Sequence, residues 1–303
     1  MLFFPYRADL SAFKFPFITI LLCAACLGVT CTQQYLDGTG EEAAAEYCKR
    51  PGPELYQLLA KHLFGKADAE ACQQLMGHIT LAQDPREFVA QHIVGKMTLK
   101  EYPPARGREL LITSVLDHYR GFAASVPASL TPKVWYEPST FDPIRAIIAT
   151  FAHSSWQHVI GNIFFFFAFA AAIEALLGPV RYLAVFVAMS VGAFMVYSLT
   201  GFINGPQPPT LGLSGAVFGM MGLFAWFAPS GHVSCLFWFL LLVRKLIVPA
   251  WLLFLWYVAA DLLRLLFIDD GPGVNVVAHL AGGAIGYGLG ALFLRRQALT
   301  APP

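Results

Sequence analysis

Long apolar runs separated by short polar breaks make up most of the chain, with one wide polar interval near its start. Most runs approach the roughly 20 residues that a helix needs to cross the apolar core of a bilayer. The pattern predicts six membrane-spanning helices, TM1 to TM6. They are placed at 16–35, 155–177, 181–202, 214–227, 249–267 and 274–294.

The first run has an alternative interpretation. A signal peptide also has a basic start and an apolar centre, and Cys23-Ala-Ala-Cys26 weakly resembles a lipoprotein cleavage site. Arg7 and Lys14 precede the run, and its length favours a span whose N-terminus is inside.

The polar interval between the first two runs predicts a water-facing domain at 36–141. Of the 39 charged residues, 26 lie between Gln33 and Arg145. Apolar positions recur at helical spacing around Leu59, Ile93 and Val115, which predicts several short amphipathic helices. His62, His92 and His118 do not have the spacing of metal ligands, so no metal site is expected there.

One apolar stretch, 235–243, is too short to span and is followed by Arg244 and Lys245. It is interpreted as an interfacial or re-entrant hairpin. Of the six cysteines, Cys31, Cys48 and Cys72 lie in or beside the polar interval, and an odd number allows one internal disulfide at most.

Composition agrees with a polytopic membrane protein. The chain is 57% hydrophobic and 13% charged, whereas charged residues make up about a quarter of a soluble protein. A net charge of +1 argues against a nucleic-acid partner, which would require a basic face. The fold class expected is an all-α polytopic membrane protein with a helical soluble insertion between TM1 and TM2.

The distribution of basic residues predicts the orientation. Seven basic residues lie in segments predicted to be inside, whereas the short loops near Asn204 and Asp269, which are predicted to be outside, contain none. The cations are Arg7, Lys14, Arg181, Arg244, Lys245, Arg295 and Arg296. The 36–141 domain is then outside, and both the N-terminal segment and a short tail at 297–303 are cytoplasmic. A bacterial inner (plasma) membrane is the expected location.

Two glycine-rich motifs carry the candidate chemistry. Ser214 lies between glycines at the head of TM4, and His279 begins a run of small residues in TM6. A serine hydroxyl needs a general base to act as a nucleophile, and His279 can supply one. Glycines spaced three and four residues from each would let the two backbones approach closely enough. Ordinary close packing of membrane helices is the alternative interpretation.

A third polar group stands at the head of TM2. His158 and Asn162 are four residues apart and share a helical face, with His153 just before them. Two donors on one face could stabilise an oxyanion beside the Ser214 amide. A zinc site is the alternative, but the spacing of the two histidines is poor for one helix face and no His-Glu-x-x-His motif is present.

These three motifs together resemble those of the rhomboid intramembrane serine proteases. The resemblance rests on His153-x4-His158-x3-Asn162, Gly212-x-Ser214-Gly215 and Ala278-His279-x2-Gly282-x3-Gly286, on the second, fourth and sixth spans. It covers TM1 and about 142–296, which defines a core of TM2 to TM6. It implies a six-helix bundle around a water-filled cavity and a serine and histidine dyad without an acid.

The resemblance also implies a role for each motif residue. Ser214 would be the nucleophile and His279 the base and acid. The oxyanion hole would comprise His158, Asn162 and the Ser214 amide, and the supporting residues would be His153, Gly212, Gly215, Phe218 and Arg145. Phe218 would stack on the catalytic imidazole, and Arg145 would lie in the outer loop before TM2.

Two further charged positions have simpler interpretations. Glu174, near the inner end of TM2, is expected to cap a neighbouring helix. Asp261 and Arg264 are three apart on TM5 and are expected to pair with each other.

The expected function is therefore intramembrane cleavage of transmembrane proteins through an acyl-enzyme. Transmembrane substrates and the lipid bilayer are the expected partners, and no cofactor is expected. A rhomboid-like pseudoprotease that binds membrane partners without cutting them is the main alternative. A transporter would predict internal repeats, and none is found in the sequence. The oligomeric state stays open.

Overall fold

The structure, a computed structural model, describes residues 2–8, 15–96, 105–229, 231–239, 242–267 and 274–293. The predictions made for Lys14, Arg295, Arg296, the loop at Asp269 and the 297–303 tail lie outside these residues. The described chain forms two compact units. One contains 1–32 and 134–303, here called the membrane unit, and the other is 33–133, the insertion unit.

Four helices are long and apolar enough to cross a membrane. They are α1 (Phe17–Cys48), α8 (Trp156–Leu177), α9 (Pro179–Asn204) and α11 (Ala250–Phe267). Two shorter apolar helices, α10 (Ser214–Phe227) and α12 (Val276–Phe293), join them in the membrane unit. The prediction of a largely helical, polytopic membrane fold is confirmed.

The insertion unit contains α2 (Glu54–Phe64), α3 (Ala69–Leu81), α4 (Pro85–Phe88) and α5 (Ala105–Ser125). A π-helical turn (Val89–Ile93) continues α4, and a 3-10 turn (Val94–Lys96) follows it. A short helix, α6 (Thr131–Val134), ends near the boundary between the units. The sequence predicts α2 and α5 but misses α3, whose start is capped by the Asp68 carboxylate on the Ala71 N–H at 3.0 Å.

A disulfide joins Cys48, the last residue of α1, to Cys72 in α3. Cys31 is exposed and free. Both cysteines belong to the buried core of the insertion unit, which also includes Leu59, Met76 and Val115. One bridge with one unpaired cysteine is the arrangement that the odd count allows.

The first helix differs from its prediction in length. The sequence places its end at Tyr35, but α1 continues to Cys48. Residues 41–46 are glutamates and alanines, which are strong helix formers, so the helix does not end where the apolar run does. The start of α1 packs into the membrane unit, because Cys23 and Cys26 belong to its buried core.

The apolar stretch at 235–243, predicted as an interfacial or re-entrant hairpin, forms part of a hairpin of two β-strands. Strands β2 (His232–Phe239) and β3 (Leu242–Pro249) pair antiparallel, and β1 (Leu2–Ala8) pairs antiparallel with the other edge of β2. The sheet order is β1-β2-β3. Its residues are rich in valine, phenylalanine and leucine, which suit a strand as well as a short helix, so the sequence alone left the conformation open.

Glu174 caps the start of α1, as the sequence predicts. Its carboxylate accepts from the Ile18 N–H at 2.9 Å, the Thr19 N–H at 2.8 Å and the Thr19 hydroxyl at 2.7 Å. The first N–H groups of a helix have no partner within the helix, so a buried acceptor there satisfies them. The cap fastens α1 to α8 in the membrane unit.

Helix α10 lies at the centre of the membrane unit. Twelve of its 14 residues are buried. Helices α8, α9 and α11, by contrast, expose large apolar side chains such as Phe164, Leu199 and Trp256. This is the expected distribution for a bundle surrounded by lipid, with one helix enclosed by the others.

Candidate active site

Helices α10 and α12 touch through their backbones along a row of glycines. A Cβ atom on Gly282 would collide with the Gly215 carbonyl oxygen, and one on Gly286 would collide with the Gly219 carbonyl oxygen. Both contacts advance by four residues on each helix, so the two helices run parallel and in register. The close approach that the glycine spacing predicts is present.

This contact places Ser214 and His279 at the same end of the helix pair. Ser214 is the first residue of α10, and His279 lies about one turn into α12. Both are half-buried. Gly215, next to Ser214, would place an added Cβ 3.3 Å from the Ala278 carbonyl oxygen, next to His279.

The loop before Ser214 is held by backbone bonds. Gly212 has φ +126°, a conformation that favours glycine, and its N–H donates to the Ala149 carbonyl at 2.9 Å. The Leu213 N–H donates to Nε2 of His153 at 3.3 Å. His153 is fully buried, and its Nδ1 lies 3.3 Å from the Thr30 hydroxyl. His153 therefore supports the loop that leads to Ser214.

His158 and Asn162 also lie beside that loop. A Cβ on Gly212 would stand 3.1 Å from the His158 ring and 4.0 Å from Asn162 Nδ2. His158 Nδ1 lies 3.2 Å from the Ser154 hydroxyl. Among the described residues, Asn162 Nδ2 is buried and has no hydrogen-bond partner. A buried donor without an acceptor is costly in a native fold and calls for an explanation.

One cavity joins these groups. It has a volume of about 700 Å³, and its wall includes Ser214, His279, His158, Asn162 and Gly212. Ser154, Asn275 and Thr210 add further polar groups to the wall. Within the described part of the chain, no hydrogen bond links the Ser214 hydroxyl to His279.

The His279 ring is held on two sides. Phe218 stacks on it with a centroid distance of 4.4 Å and an interplanar angle of 16°. Nδ1 lies 2.8 Å from the Asp261 carboxylate, which comes from α11. The prediction that Asp261 pairs with Arg264 is wrong: the carboxylate turns inward to His279, while Arg264 is exposed. An acid therefore stands beside the imidazole, where the resemblance implied none.

A known protein family matches the second half of the chain. The Rhomboid domain matches residues 140–296, which is just over half of the chain and includes all three motifs. The chain belongs to the rhomboid family.

Individual relatives match over a shorter stretch. The presenilin-associated rhomboid-like proteins, mitochondrial, of Bos taurus, Mus musculus and Homo sapiens are each 26% identical to this chain over 91 residues. That stretch is 30% of this chain and 24% of each relative. The similarity thus spans about a quarter of the relatives' length.

Arg145, one of the expected supporting residues of the rhomboid site, does not line the cavity. Arg145 was expected in an outer loop, and the structure places it in α7 (Pro143–Phe151). Asp142 caps this helix by accepting from the Ile144 and Arg145 N–H groups at 2.9 and 3.1 Å. This helix lies in the connection between α1 and α8, and the cap together with Pro143 at the first helical position accounts for its helical conformation.

Sequence reasoning missed the contacts that two residues make at this rhomboid site. Asn275 accepts from the Ala278 N–H at 2.9 Å and donates to the Thr210 hydroxyl at 3.2 Å, so it connects the start of α12 with the loop before Ser214. An asparagine immediately before the first residue of an apolar helix is a capping signal that could have identified it. Asp261 is the other, and its distance along the chain from His279 gave no signal.

No group of three or more His, Cys, Asp or Glu side chains in the described ranges is arranged to hold a metal ion. The His153 and His158 rings do meet edge to face at 5.0 Å. Each is already engaged, His153 with the Leu213 N–H and His158 beside Ser154.

Proposed function

We propose that this rhomboid is an intramembrane serine endopeptidase that cleaves transmembrane segments of membrane proteins. The observation that carries the proposal is that Ser214 and His279 line one cavity, on two helices whose backbones touch. Acyl transfer from a serine requires a general base held close to the hydroxyl, and two closely packed helices can hold both groups in place.

The proposed reaction has two steps. The Ser214 oxygen attacks the scissile carbonyl carbon, and its proton passes to Nε2 of His279. The imidazolium then gives this proton to the leaving amine nitrogen as the carbon–nitrogen bond breaks, which leaves an acyl-enzyme on Ser214. Water activated by His279 hydrolyses the ester and restores the serine.

The negative charge that develops on the substrate oxygen needs donors. Ser214 begins α10, and the first N–H groups of a helix are free of helical partners, so the Ser214 amide is one candidate. The Asn162 amide is the second, and its lack of any acceptor among the described residues supports this role. His158 is also on the cavity wall and is the third.

The length of α10 supports a site below the membrane surface. Fourteen residues rise about 21 Å, whereas the apolar core of a bilayer is about 30 Å thick. If α10 ends at the inner boundary, Ser214 lies about 9 Å below the outer one. The polar groups in the cavity wall would then bind water at that depth.

We further propose six spans with both termini in the cytoplasm. Helices α10 and α12 run parallel, so the chain between them must return across the membrane once. Helix α11 is long and apolar enough to do so, whereas the β2–β3 hairpin carries Arg244 and Lys245 and fits the inner face.

The insertion at 36–141 would then lie outside the cytoplasm. The Cys48–Cys72 disulfide supports this side, because disulfides persist in oxidising compartments and are rare in the cytosol. A bacterial inner (plasma) membrane, with the insertion in the space outside, meets this condition.

A pseudoprotease that binds transmembrane partners without cutting them is the second candidate. The observation that favours it is the missing hydrogen bond between Ser214 and His279 in the described structure. Both proposals use the same cavity and differ only in whether Ser214 reacts.

Labelling with a fluorophosphonate probe in membranes, followed by mapping of the modified residue, tests the proposal. We expect modification at Ser214 and cleavage of a model transmembrane substrate, with both lost in Ser214→Ala and cleavage lost in His279→Ala. Cleavage that survives in Ser214→Ala would refute the assignment. A wild-type protein that captures the substrate but is neither labelled nor active would establish the pseudoprotease instead.

A further inference from the structure

Helix α11 exposes most of its large apolar side chains and carries one buried carboxylate. Its large side chains Trp251, Trp256 and Leu263 are between 47% and 57% exposed, whereas Asp261 is 7% exposed. A carboxylate in an apolar membrane environment is costly unless it has a partner. The partner here is Nδ1 of His279, at 2.8 Å.

The contact fixes which nitrogen of His279 carries the proton in its neutral form. A carboxylate accepts hydrogen bonds and cannot donate them, so the hydrogen lies on Nδ1. Nε2 then holds the lone pair, and it is the nitrogen that the proposed reaction needs as a proton acceptor. The opposite tautomer would present an N–H to Ser214 and could not act as a base.

The same contact bears on the charged intermediate. When the Ser214 proton moves to Nε2, His279 becomes an imidazolium with Nδ1–H directed at Asp261. The carboxylate stabilises this charge. Phe218 stacks on the ring face at 4.4 Å, so the ring is held in the plane that this hydrogen bond requires.

We propose that Asp261 is a positioning residue for His279. The serine and histidine pair then becomes a three-residue site, with Ser214 from α10, His279 from α12 and Asp261 from α11. The inference rests on the proposed protease function. It assigns to the fifth predicted span a role that neither the motifs nor the family match contains.

The test compares Asp261→Asn with Arg264→Gln in the full-length protein, reconstituted in lipid with a model transmembrane substrate. Asparagine keeps the shape of the side chain, but its amide can donate to Nδ1 and so favours the wrong tautomer. We expect kcat to fall by about 100-fold to 10,000-fold, with KM within about twofold of wild type. Arg264→Gln changes a charge one turn away on the exposed side of α11 and should leave kcat unchanged.

A double variant separates positioning from a structural role. In a His279→Ala background, Asp261→Asn should cost nothing further, because the residue through which it acts is gone. A structural role would lower the melting temperature in both backgrounds and alter KM. Asp261→Asn with kcat within threefold of wild type would overturn the proposal.

A measurement on the unaltered protein keeps the proposal testable if Asp261→Asn fails to fold. Nitrogen-15 NMR of histidine-labelled protein, with His279 assigned by its absence in His279→Ala, reports the tautomer directly. We expect the Nδ1–H form, and a predominant Nε2–H form would overturn the proposal. Wild type without cleavage or Ser214 labelling would instead refute the protease function, so the two failures are distinguishable.

Discussion

The backbone of Gly286 in α12 lies against the carbonyl oxygen of Gly219 in α10, so closely that no Cβ atom fits between them. This contact sits two turns below the end of the helix pair that carries Ser214 and His279. The distance between the two functional groups therefore depends on the absence of side chains at this seam.

Gly286→Ala tests that dependence. The added methyl group meets backbone, which cannot move aside as a flexible side chain could, so the helices must separate. We expect a loss of about 1–3 kcal/mol in stability and, from a displacement near 1 Å, about a 100-fold loss of cleavage. Thermal unfolding and substrate cleavage in detergent measure the two effects.

The same helix provides the matched control. Gly288 has no atom within 4 Å of an added Cβ, so Gly288→Ala should behave like wild type or gain slightly in helix stability. Equal losses in both variants would mean that helix α12 tolerates alanine poorly everywhere and that the seam has no special role.

Asn162→Ala tests the oxyanion hole. The Asn162 Nδ2 group is buried without an acceptor in the described structure, so its donor is available to a developing oxyanion. Loss of one such donor lowers kcat by about 100-fold to 1,000-fold in serine hydrolases, with less effect on substrate binding. Steady-state kinetics give kcat and KM separately.

Gly161→Ala serves as the control for Asn162→Ala, because an added Cβ at Gly161 has no neighbour within 4 Å. Should Asn162→Ala raise KM and leave kcat intact, Asn162 would be a substrate-binding group and not part of the oxyanion hole.

How far the sequence predicts this molecule depends on whether the interaction is local. The apolar runs and the four-residue glycine spacing are properties of single helices. The sequence therefore predicts the membrane spans and the contact between α10 and α12. It does not predict the partner of Asp261. Arg264 is the nearer cation in sequence, but tertiary packing brings His279, 18 residues away, to the carboxylate.

The β2–β3 hairpin shows a second limit. Its apolar residues suit a strand and a short helix about equally, and pairing with β1, more than 220 residues earlier in the chain, is available to strands alone. Such long-range pairing leaves no periodic signal in either segment. The capping role of Glu174 was predictable in kind, but its recipients at Ile18 and Thr19 were not.

Glu174→Ala tests the cap on α1. Removal of the carboxylate leaves the Ile18 and Thr19 N–H groups without their acceptor in the membrane unit. We expect a loss of about 1–3 kcal/mol, seen as a lower melting temperature in detergent. Glu46→Gln, which alters an exposed ion pair with Lys49, should change stability by less than about 0.5 kcal/mol. An unchanged melting temperature in Glu174→Ala would contradict the capping role.

Removal of the disulfide should loosen the insertion unit. The bond closes a loop of 24 residues, which corresponds to about 3 kcal/mol of stability. In Cys48→Ser/Cys72→Ser we expect faster proteolysis and faster hydrogen exchange in α3. Cys31→Ser removes a free, exposed thiol and is the matched control. Alkylation of Cys48 and Cys72 in freshly isolated membranes would show that the bond does not form in the cell.

The insertion unit should lose stability on acidification, because of His118. Burial lowers the pKa of His118 below its ordinary value of 6.5. Its ring packs against Tyr56 at a centroid distance of 4.4 Å, and among the described residues its Nε2 is buried without a partner. The folded unit therefore binds this proton less readily than the unfolded chain does. The stabilising effect is complete above about pH 6.5 and declines as the pH falls below that value.

Hydrogen exchange of the α5 amides in the full-length protein, compared between pH 7.5 and pH 5.5 after correction for the intrinsic rate, measures this decline. We expect protection to fall at the lower pH in wild type and to change much less in His118→Phe, whose ring fills the same space without titrating. His78→Gln alters an exposed histidine of the same unit and should keep the wild-type pH dependence. The His118→Phe variant has no titratable group at this buried position. If it loses protection on acidification as steeply as wild type, groups other than His118 control the response.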